Sequence, residues 1–177
     1  MKTSVKDIVK SILDIFTHNV DEQQVLKDQM FDFFLVFSRF EFALKETGYI
    51  SAPGSNASPD WNRFVSAYKE NFDVTSDILE SYEYLTNEAT APNRQKVTSD
   101  SSYEWKPQTI NVNAPKLVLA VDSIKLVRNN LFHGGKYGDE TWGDYERNIH
   151  LMSHSISLLF AMKELDSDIA AIFENFA

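Results

Sequence analysis

The sequence predicts an all-α fold, a single antiparallel bundle of helices with one long, phenylalanine-rich helix at its centre. Apolar residues recur at helical spacing along most of the chain, and the alternation that marks strands is nearly absent. Residues that favour helix ends, such as Ser, Asp, Pro and Gly, stand between the apolar stretches. The chain has 177 residues, 13 of them Phe, so residues 1–177 are expected to form one domain with a buried core.

The chain begins with two predicted helices. Apolar residues at helical spacing predict the first over about residues 4–18. A second, longer helix is predicted to be capped by Asp21 and to stop at Gly48, a residue favoured just past a helix end. Its apolar stripe includes Met30, Phe33, Phe34, Phe37, Phe40 and Leu44. We expect this helix to be central to the core.

Two shorter helices are predicted next. Ser58 and Pro59 have the order of an N-cap and a first-turn proline, which predicts a helix to about Asn71. A fourth helix is predicted from Ser76 to Leu85.

The second half of the chain adds an irregular insertion and three further helices. The helical period is lost over about residues 90–112, where the stretch 97–110 has room for a small hairpin. Helices are then predicted over 113–133 and 141–165. Ser167 is predicted to cap a short terminal helix.

Charge and composition exclude several classes of protein. A net charge of −9 opposes general binding to phosphate backbones, so any nucleic-acid chemistry must use a local site. The absence of cysteine excludes disulfides, thiolate metal sites and cysteine nucleophiles. No signal segment is visible, and the longest apolar run, Phe33 to Phe37, is far shorter than the roughly 20 residues that span a bilayer. We therefore expect a soluble, cytoplasmic protein with no membrane partner.

Two charged residues fall within apolar helical faces. On a helical wheel Arg128 lies in the apolar arc of the helix over 113–133, beside Val127 and Phe132. Glu41 projects from the middle of the phenylalanine arc of the long helix by the same construction. Because an isolated buried charge is costly, we predict that Glu41 and Arg128 form an ion pair. Such a pair can fix helix register alone or can also support a reaction, and the wheel leaves both roles open.

The opposite side of the same helix is also partly apolar. Asn129 and His133 are four positions apart and share a face, with Leu119 and Leu126 interleaved. Apolar residues on two sides of one helix indicate that both sides are covered. The second cover is expected to be another helix or a second subunit of a symmetric dimer.

Residues 128–133, Arg-Asn-Asn-Leu-Phe-His, place an Arg and a His five positions apart, with four residues between them, at a helix end, and Gly134, Gly135 and Lys136 follow. This arrangement resembles the Arg-X4–6-His signature of HEPN domains. The helical layout of most of the chain is similar to that family, whereas the specific match is confined to the segment around the motif. The resemblance implies a helical bundle that dimerises with its motifs facing each other across the two-fold axis.

The resemblance also implies an activity. Many HEPN domains are metal-independent RNA endonucleases that act as toxins or in antiviral defence. If the motif residues have the same roles here as in that family, His133 would assist proton transfer at the ribose 2′-OH or the leaving oxygen. Arg128 would stabilise charge on the phosphorane. Both residue types suit that chemistry. The expected protein is thus an endoribonuclease that cleaves RNA by 2′-OH attack, with no metal and no cofactor.

Further residues would support this site. Asn129 would orient the histidine or hold a phosphate, and Glu41 would hold the arginine in place. Asn130, the next residue of the motif, is also expected to support the site. Lys125 and Lys136 are the expected RNA-binding residues, because they add positive potential near the motif.

Other readings stay open from the sequence. A HEPN module without catalysis, which binds a nucleotide or a protein partner, agrees better with the acidic charge. Glu146, His150 and His154 stand at four-residue steps, which suits either a metal site or, more commonly, a solvated helix face. HEPN toxins controlled by a nucleotidyltransferase antitoxin often have Tyr two residues after the His, where this chain has Gly135. An antitoxin or another regulatory protein is therefore left open as a partner.

Overall fold

The computed structural model describes residues 5–14, 16–100, 102–132 and 144–175 of the chain. Within these ranges the chain is mostly helical, as predicted, with seven helices and one two-stranded hairpin. In chain order the elements are α1 Val5–Leu13, α2 Val20–Glu46, α3 Trp61–Tyr68, α4 Leu79–Thr86, β1 Arg94–Ser99, β2 Ser102–Lys106, α5 Lys116–Phe132, α6 Tyr145–Lys163 and α7 Ser167–Glu174. None of these helices is long and apolar enough to cross a membrane.

Helix α2 is central to the core, as the sequence predicts. It has 27 residues and packs against α6 and α7. Its buried apolar residues are Leu26, Phe33, Phe37, Phe40, Ala43 and Leu44. Asn19 caps the helix in place of Asp21, since the Asn19 side chain accepts a hydrogen bond of 3.0 Å from the Asp21 N–H. The chain turns after the helix at Gly48, whose φ of +89° is a conformation that glycine adopts without strain.

Aromatic rings join α2 to α3 and α7. The Phe40 ring is nearly parallel to that of Trp61, with centroids 5.3 Å apart. It meets Phe64 and Phe173 edge-on at 5.6 and 6.3 Å. Aromatic pairs in such geometries contribute about 0.5–1.5 kcal/mol each beyond the area that they bury. The phenylalanine stripe therefore holds three helices together.

Two helices are capped by aspartates where the sequence predicts serine caps. Asp60 caps α3 in place of Ser58 and accepts a hydrogen bond of 3.0 Å from the Arg63 N–H. Asp166 caps α7 in place of Ser167 and accepts a hydrogen bond of 2.8 Å from the backbone N–H two residues further on. The predictions fail here because Ser and Asp are equally good caps, and neighbouring candidates cannot be ranked by residue type alone.

The irregular insertion contains an antiparallel hairpin, shifted from the predicted position of 97–110. Strands β1 and β2 pair in a register that sets Arg94 opposite Lys106 and Val97 opposite Tyr103. Both strands are mostly exposed. The hairpin is therefore a surface element that adds little to the core.

The same insertion covers the second side of α5. Asn130 donates a hydrogen bond of 2.9 Å to the Asn93 carbonyl, immediately before β1. Further along, the Gln108 amide donates to the Ser123 hydroxyl at 3.3 Å. The apolar residues of this side, Leu119 and Leu126, are both buried. This side is thus buried within the chain itself, without a second subunit.

Helix α6 is hydrogen-bonded to the start of the insertion. The Arg147 guanidinium donates hydrogen bonds to the carbonyls of Thr90 and Ala91, at 3.1 and 2.7 Å. Charge-assisted bonds to buried or half-buried carbonyls are among the stronger hydrogen bonds of a protein. This contact fixes the insertion just ahead of the hairpin.

Candidate functional site

Arg128 lies near the end of α5 with its guanidinium against aromatic rings. The guanidinium carbon is 5.1 Å from the centroid of the Phe132 ring and 5.8 Å from that of Phe37 on α2. Its Nη1 donates a hydrogen bond of 3.2 Å to Oδ1 of Asn129. Ring faces attract a cation within about 6 Å. Arg128 is thus held half-buried as a cation, and no carboxylate of the described residues pairs with it.

The predicted ion pair between Glu41 and Arg128 is wrong. Glu41 is half-buried, and its Oε1 accepts a hydrogen bond of 3.1 Å from the Trp61 indole N–H. A buried indole N–H needs an acceptor, and Glu41 supplies it. Around Arg128 on α5, two aromatic rings and an amide take the place of the expected carboxylate. Glu41 therefore supports the packing of α3 on α2 rather than the arginine.

The two asparagines of the motif have different surroundings. Asn129 is exposed, and its side chain accepts the hydrogen bond from Arg128. Asn130 is 8% exposed and is bonded to the insertion through Asn93. Lys125 lies one turn before Asn129 and is half-buried. Of these candidates, Asn129 is the one that contacts Arg128, whereas the Asn130 side chain holds the insertion.

His133 and Lys136 lie outside the described residues, as do Gly134 and Gly135. The described part of α5 ends at Phe132, directly before the histidine. Phe132 is 52% exposed, although the helical wheel places it in the apolar core. The role of the histidine stays a prediction from the sequence.

An apolar groove of about 400 Å³ adjoins this end of α5 and is called here the Phe34 groove. The Phe34 and Phe132 rings lie 5.7 Å apart and line it together with residues of α1. Phe34 and the neighbouring Phe31 are 44% and 61% exposed. The wheel places Phe34 in the buried arc of α2, but it lies at the edge of that arc. Contiguous exposed apolar surface often marks a site of interaction.

A polar pocket of about 210 Å³ lies between β1 and α5 and is called here the Arg94 pocket. Its lining residues are Arg94, Gln95, Leu126, Asn129 and Asn130. Helix α5 brings two motif asparagines to it, and the hairpin brings a cation and an amide. The pocket therefore connects the surface around Asn129 and Asn130 with the insertion.

The histidines of α6 are engaged in packing. The His154 Nδ1 atom is 3.0 Å from the Ser81 hydroxyl. The rings of His150 and His154 stack at 5.7 Å, and both contact Tyr84. Burial lowers the pKa of His154 below its ordinary value, and the nearby His150 lowers it further. In the part of the chain that the structure describes, no three side chains of His, Asp or Glu are placed to hold a metal ion, so Glu146 does not complete a site.

Sequence reasoning missed three residues of this region. Trp61 appears in the sequence as one more apolar-stripe residue, although its indole N–H is a signal that a buried acceptor is needed. Arg94 and Gln95 belong to the insertion, where no period indicates which way a side chain points. Only the position of β1 beside α5 brings them to the motif.

The chain matches no protein-family model, no curated protein and no solved structure. The resemblance to HEPN domains therefore rests on the motif and the helical layout. Function has to be argued from the site itself, because a fold does not fix an activity.

Proposed function

We propose that the chain is a metal-independent endoribonuclease of the HEPN type, with a toxin or antiviral-defence role. The observation that carries the proposal is the Arg128 guanidinium, which stands five residues before His133 in sequence and has no carboxylate partner among the described residues. A guanidinium that is not neutralised keeps its affinity for phosphate oxygens. Asn129, which holds the guanidinium from the exposed side, supports the same use.

In this mechanism the ribose 2′-OH attacks the adjacent phosphorus. His133 assists by accepting the hydroxyl proton or by giving a proton to the 5′ leaving oxygen, which suits a side chain that titrates near neutrality. Arg128 stabilises the negative charge of the phosphorane. The products are a 2′,3′-cyclic phosphate and a 5′-hydroxyl. Internal attack needs proton transfer and charge stabilisation but no metal ion.

The proposal includes a homodimer in which two copies of the motif share a cleft. Leu119 and Leu126 do not support it, because they are already buried within the chain on the side of α5 to which the insertion is bonded. The Phe34 groove supports it instead, since a second copy at this end of α5 would cover exposed phenylalanine rings beside Arg128. An antitoxin or other regulatory protein is the competing occupant. Light scattering at micromolar concentration tests the dimer, and a monomer contradicts it.

The activity is tested with labelled single-stranded RNA, purified protein and excess chelator, followed by end-group analysis of the products. His133→Ala should lose at least the 10²–10⁴-fold that one general acid-base group typically contributes. Arg128→Ala should be nearly inactive, and Arg128→Lys should recover little, because an ammonium lacks the planar bidentate fork. His18→Ala is the matched control, since the His18 side chain is 89% exposed and lies far from the motif in sequence.

Three results contradict the mechanism. They are cleavage that requires a divalent ion, cleavage that survives in His133→Ala, and products without a cyclic phosphate. A wild-type protein with no nuclease activity supports the alternative of a non-catalytic module that binds a nucleotide or a protein partner.

A further inference from the structure

The Arg94 pocket is held in place by the fold. Asn130 forms part of its lining and is 8% exposed, and its hydrogen bond to Asn93 attaches the start of β1 to α5. Leu126 packs in the same junction and is also buried. The two elements that form the pocket are therefore joined at the pocket itself.

The lining of the pocket presents donors and one positive charge. No carboxylate is among the described residues that line it. Across the hairpin, Lys106 is paired with Glu104 at 2.7 Å, whereas no ion pair of the described residues involves Arg94. Asn129 uses its oxygen for Arg128, which leaves the amide N–H groups as donors. A planar guanidinium beside amide donors matches the oxygens of a phosphate group.

We infer that the Arg94 pocket is a phosphate-binding subsite for single-stranded RNA, next to the phosphate that Arg128 would contact. The inference rests on the proposed function. Asn129 connects the two positions, because it lines the pocket and accepts the hydrogen bond from Arg128. The volume of about 210 Å³ is below the range of about 300–1,000 Å³ that is typical of small-molecule clefts. The pocket therefore suits one phosphate group of a longer chain rather than a whole cofactor.

The exposed face of the hairpin extends this surface. Gln95 and Val97 are two positions apart in β1 and so share a face. Tyr103 stands opposite Val97 and is 48% exposed. Exposed aromatic rings beside cations are the usual means by which proteins hold unpaired bases. A single strand that enters the Arg94 pocket would therefore meet a ring on which a base can stack.

The test is the binding of a single-stranded 2′-O-methyl RNA oligonucleotide, which cannot undergo 2′-OH attack, by fluorescence anisotropy over a series of salt concentrations. Arg94→Ala should weaken binding and reduce the slope of log affinity against log salt by about 0.7, the value for one phosphate contact on a single strand. Gln95→Glu should also weaken binding, because it adds a negative charge to the pocket with little change in size. Lys69→Ala removes one exposed positive charge at the end of α3 and should leave the slope unchanged. Thermal unfolding checks that each variant is folded.

The outcomes separate this inference from the proposed function. The subsite is overturned if the wild-type protein does not bind the oligonucleotide, or if Arg94→Ala binds it with unchanged affinity and slope. If wild type cleaves unmodified RNA and Arg94→Ala cleaves it with the same KM, the nuclease stands and the subsite fails. If binding depends on Arg94 but wild type cleaves no RNA, the subsite stands and the nuclease fails.

Discussion

Removal of the Arg128 side chain should cost the fold about 1–2 kcal/mol. The guanidinium lies 5.1 and 5.8 Å from two ring centroids, and each contact of this kind contributes about 0.5–1 kcal/mol where solvent reaches it. The hydrogen bond of 3.2 Å to Asn129 joins two groups at the surface and adds little, because water competes for both. A buried ion pair with Glu41 would instead cost about 3–5 kcal/mol when one partner is removed. The stability of Arg128→Ala therefore distinguishes the two arrangements.

Variants of Glu41 also distinguish the observed arrangement from an ion pair with Arg128. Glu41→Ala leaves the buried Trp61 indole N–H without its acceptor, which should cost about 1–3 kcal/mol. Glu41→Gln keeps a carbonyl oxygen in the same place and should lie within about 0.5 kcal/mol of the wild type. Loss of the charge alone is thus expected to matter little, which would not hold if Glu41 neutralised an arginine.

A double-mutant cycle measures the interaction directly. The free energies of unfolding of the wild type, Glu41→Ala, Arg128→Ala and the double variant are obtained from urea denaturation followed by circular dichroism. The coupling should lie within about 0.5 kcal/mol, because the two side chains share no bond. Phe37 contacts both Arg128 and Trp61 and so offers a route for a small coupling. A coupling of about 2 kcal/mol or more would refute the described geometry and favour the ion pair.

Two other perturbations test the packing around α7 and α6. Asp166→Ala removes the cap of α7 and the hydrogen bond from the Tyr68 hydroxyl, so urea denaturation should show a loss of at least the about 0.5–2 kcal/mol expected for the cap. Tyr68→Phe keeps the cap and should lose less, about 0.5–1.5 kcal/mol; a greater loss than that of Asp166→Ala would contradict the assignment. Because the pKa of His154 is lowered by burial, the unfolded chain binds a proton there first as the pH falls below about 6.5. His154 should therefore make the wild type lose more stability than His154→Asn as the pH falls through about 6.5, which urea denaturation at several pH values measures; equal pH profiles would contradict this.

The helices could be predicted because burial of one face imposes a period on the sequence. Phe33, Phe37 and Phe40 recur at helical spacing and are all buried in α2. The edges of the arcs are predicted less well, since Phe34 and Phe132 belong to the predicted arcs but are half-exposed. A wheel assigns an angle to each side chain, whereas the extent of the neighbouring helix decides whether that angle is covered.

The pairing of charges could not be predicted by the same means. Glu41 and Arg128 each lie within an apolar face, and the wheel indicates only that each needs a partner. Either an indole N–H or a guanidinium can satisfy a carboxylate, and either aromatic faces or a carboxylate can hold a guanidinium. The distances between the helices decide which of these pairings forms, and those distances cannot be read from the sequence.

The surroundings of α5 leave a narrow approach to Arg128. The core covers one side of the helix and the insertion covers a second, so that the exposed residues beyond its first turn form a strip: Asp122, Asn129 and Phe132. At Asn129 the strip borders the Arg94 pocket, which is polar and positively charged. At Phe132 it borders the Phe34 groove, which is apolar. Phosphates are bound by donors and cations, and protein surfaces by apolar rings, so the proposed RNA and the proposed second copy would reach Arg128 from different sides without displacing each other.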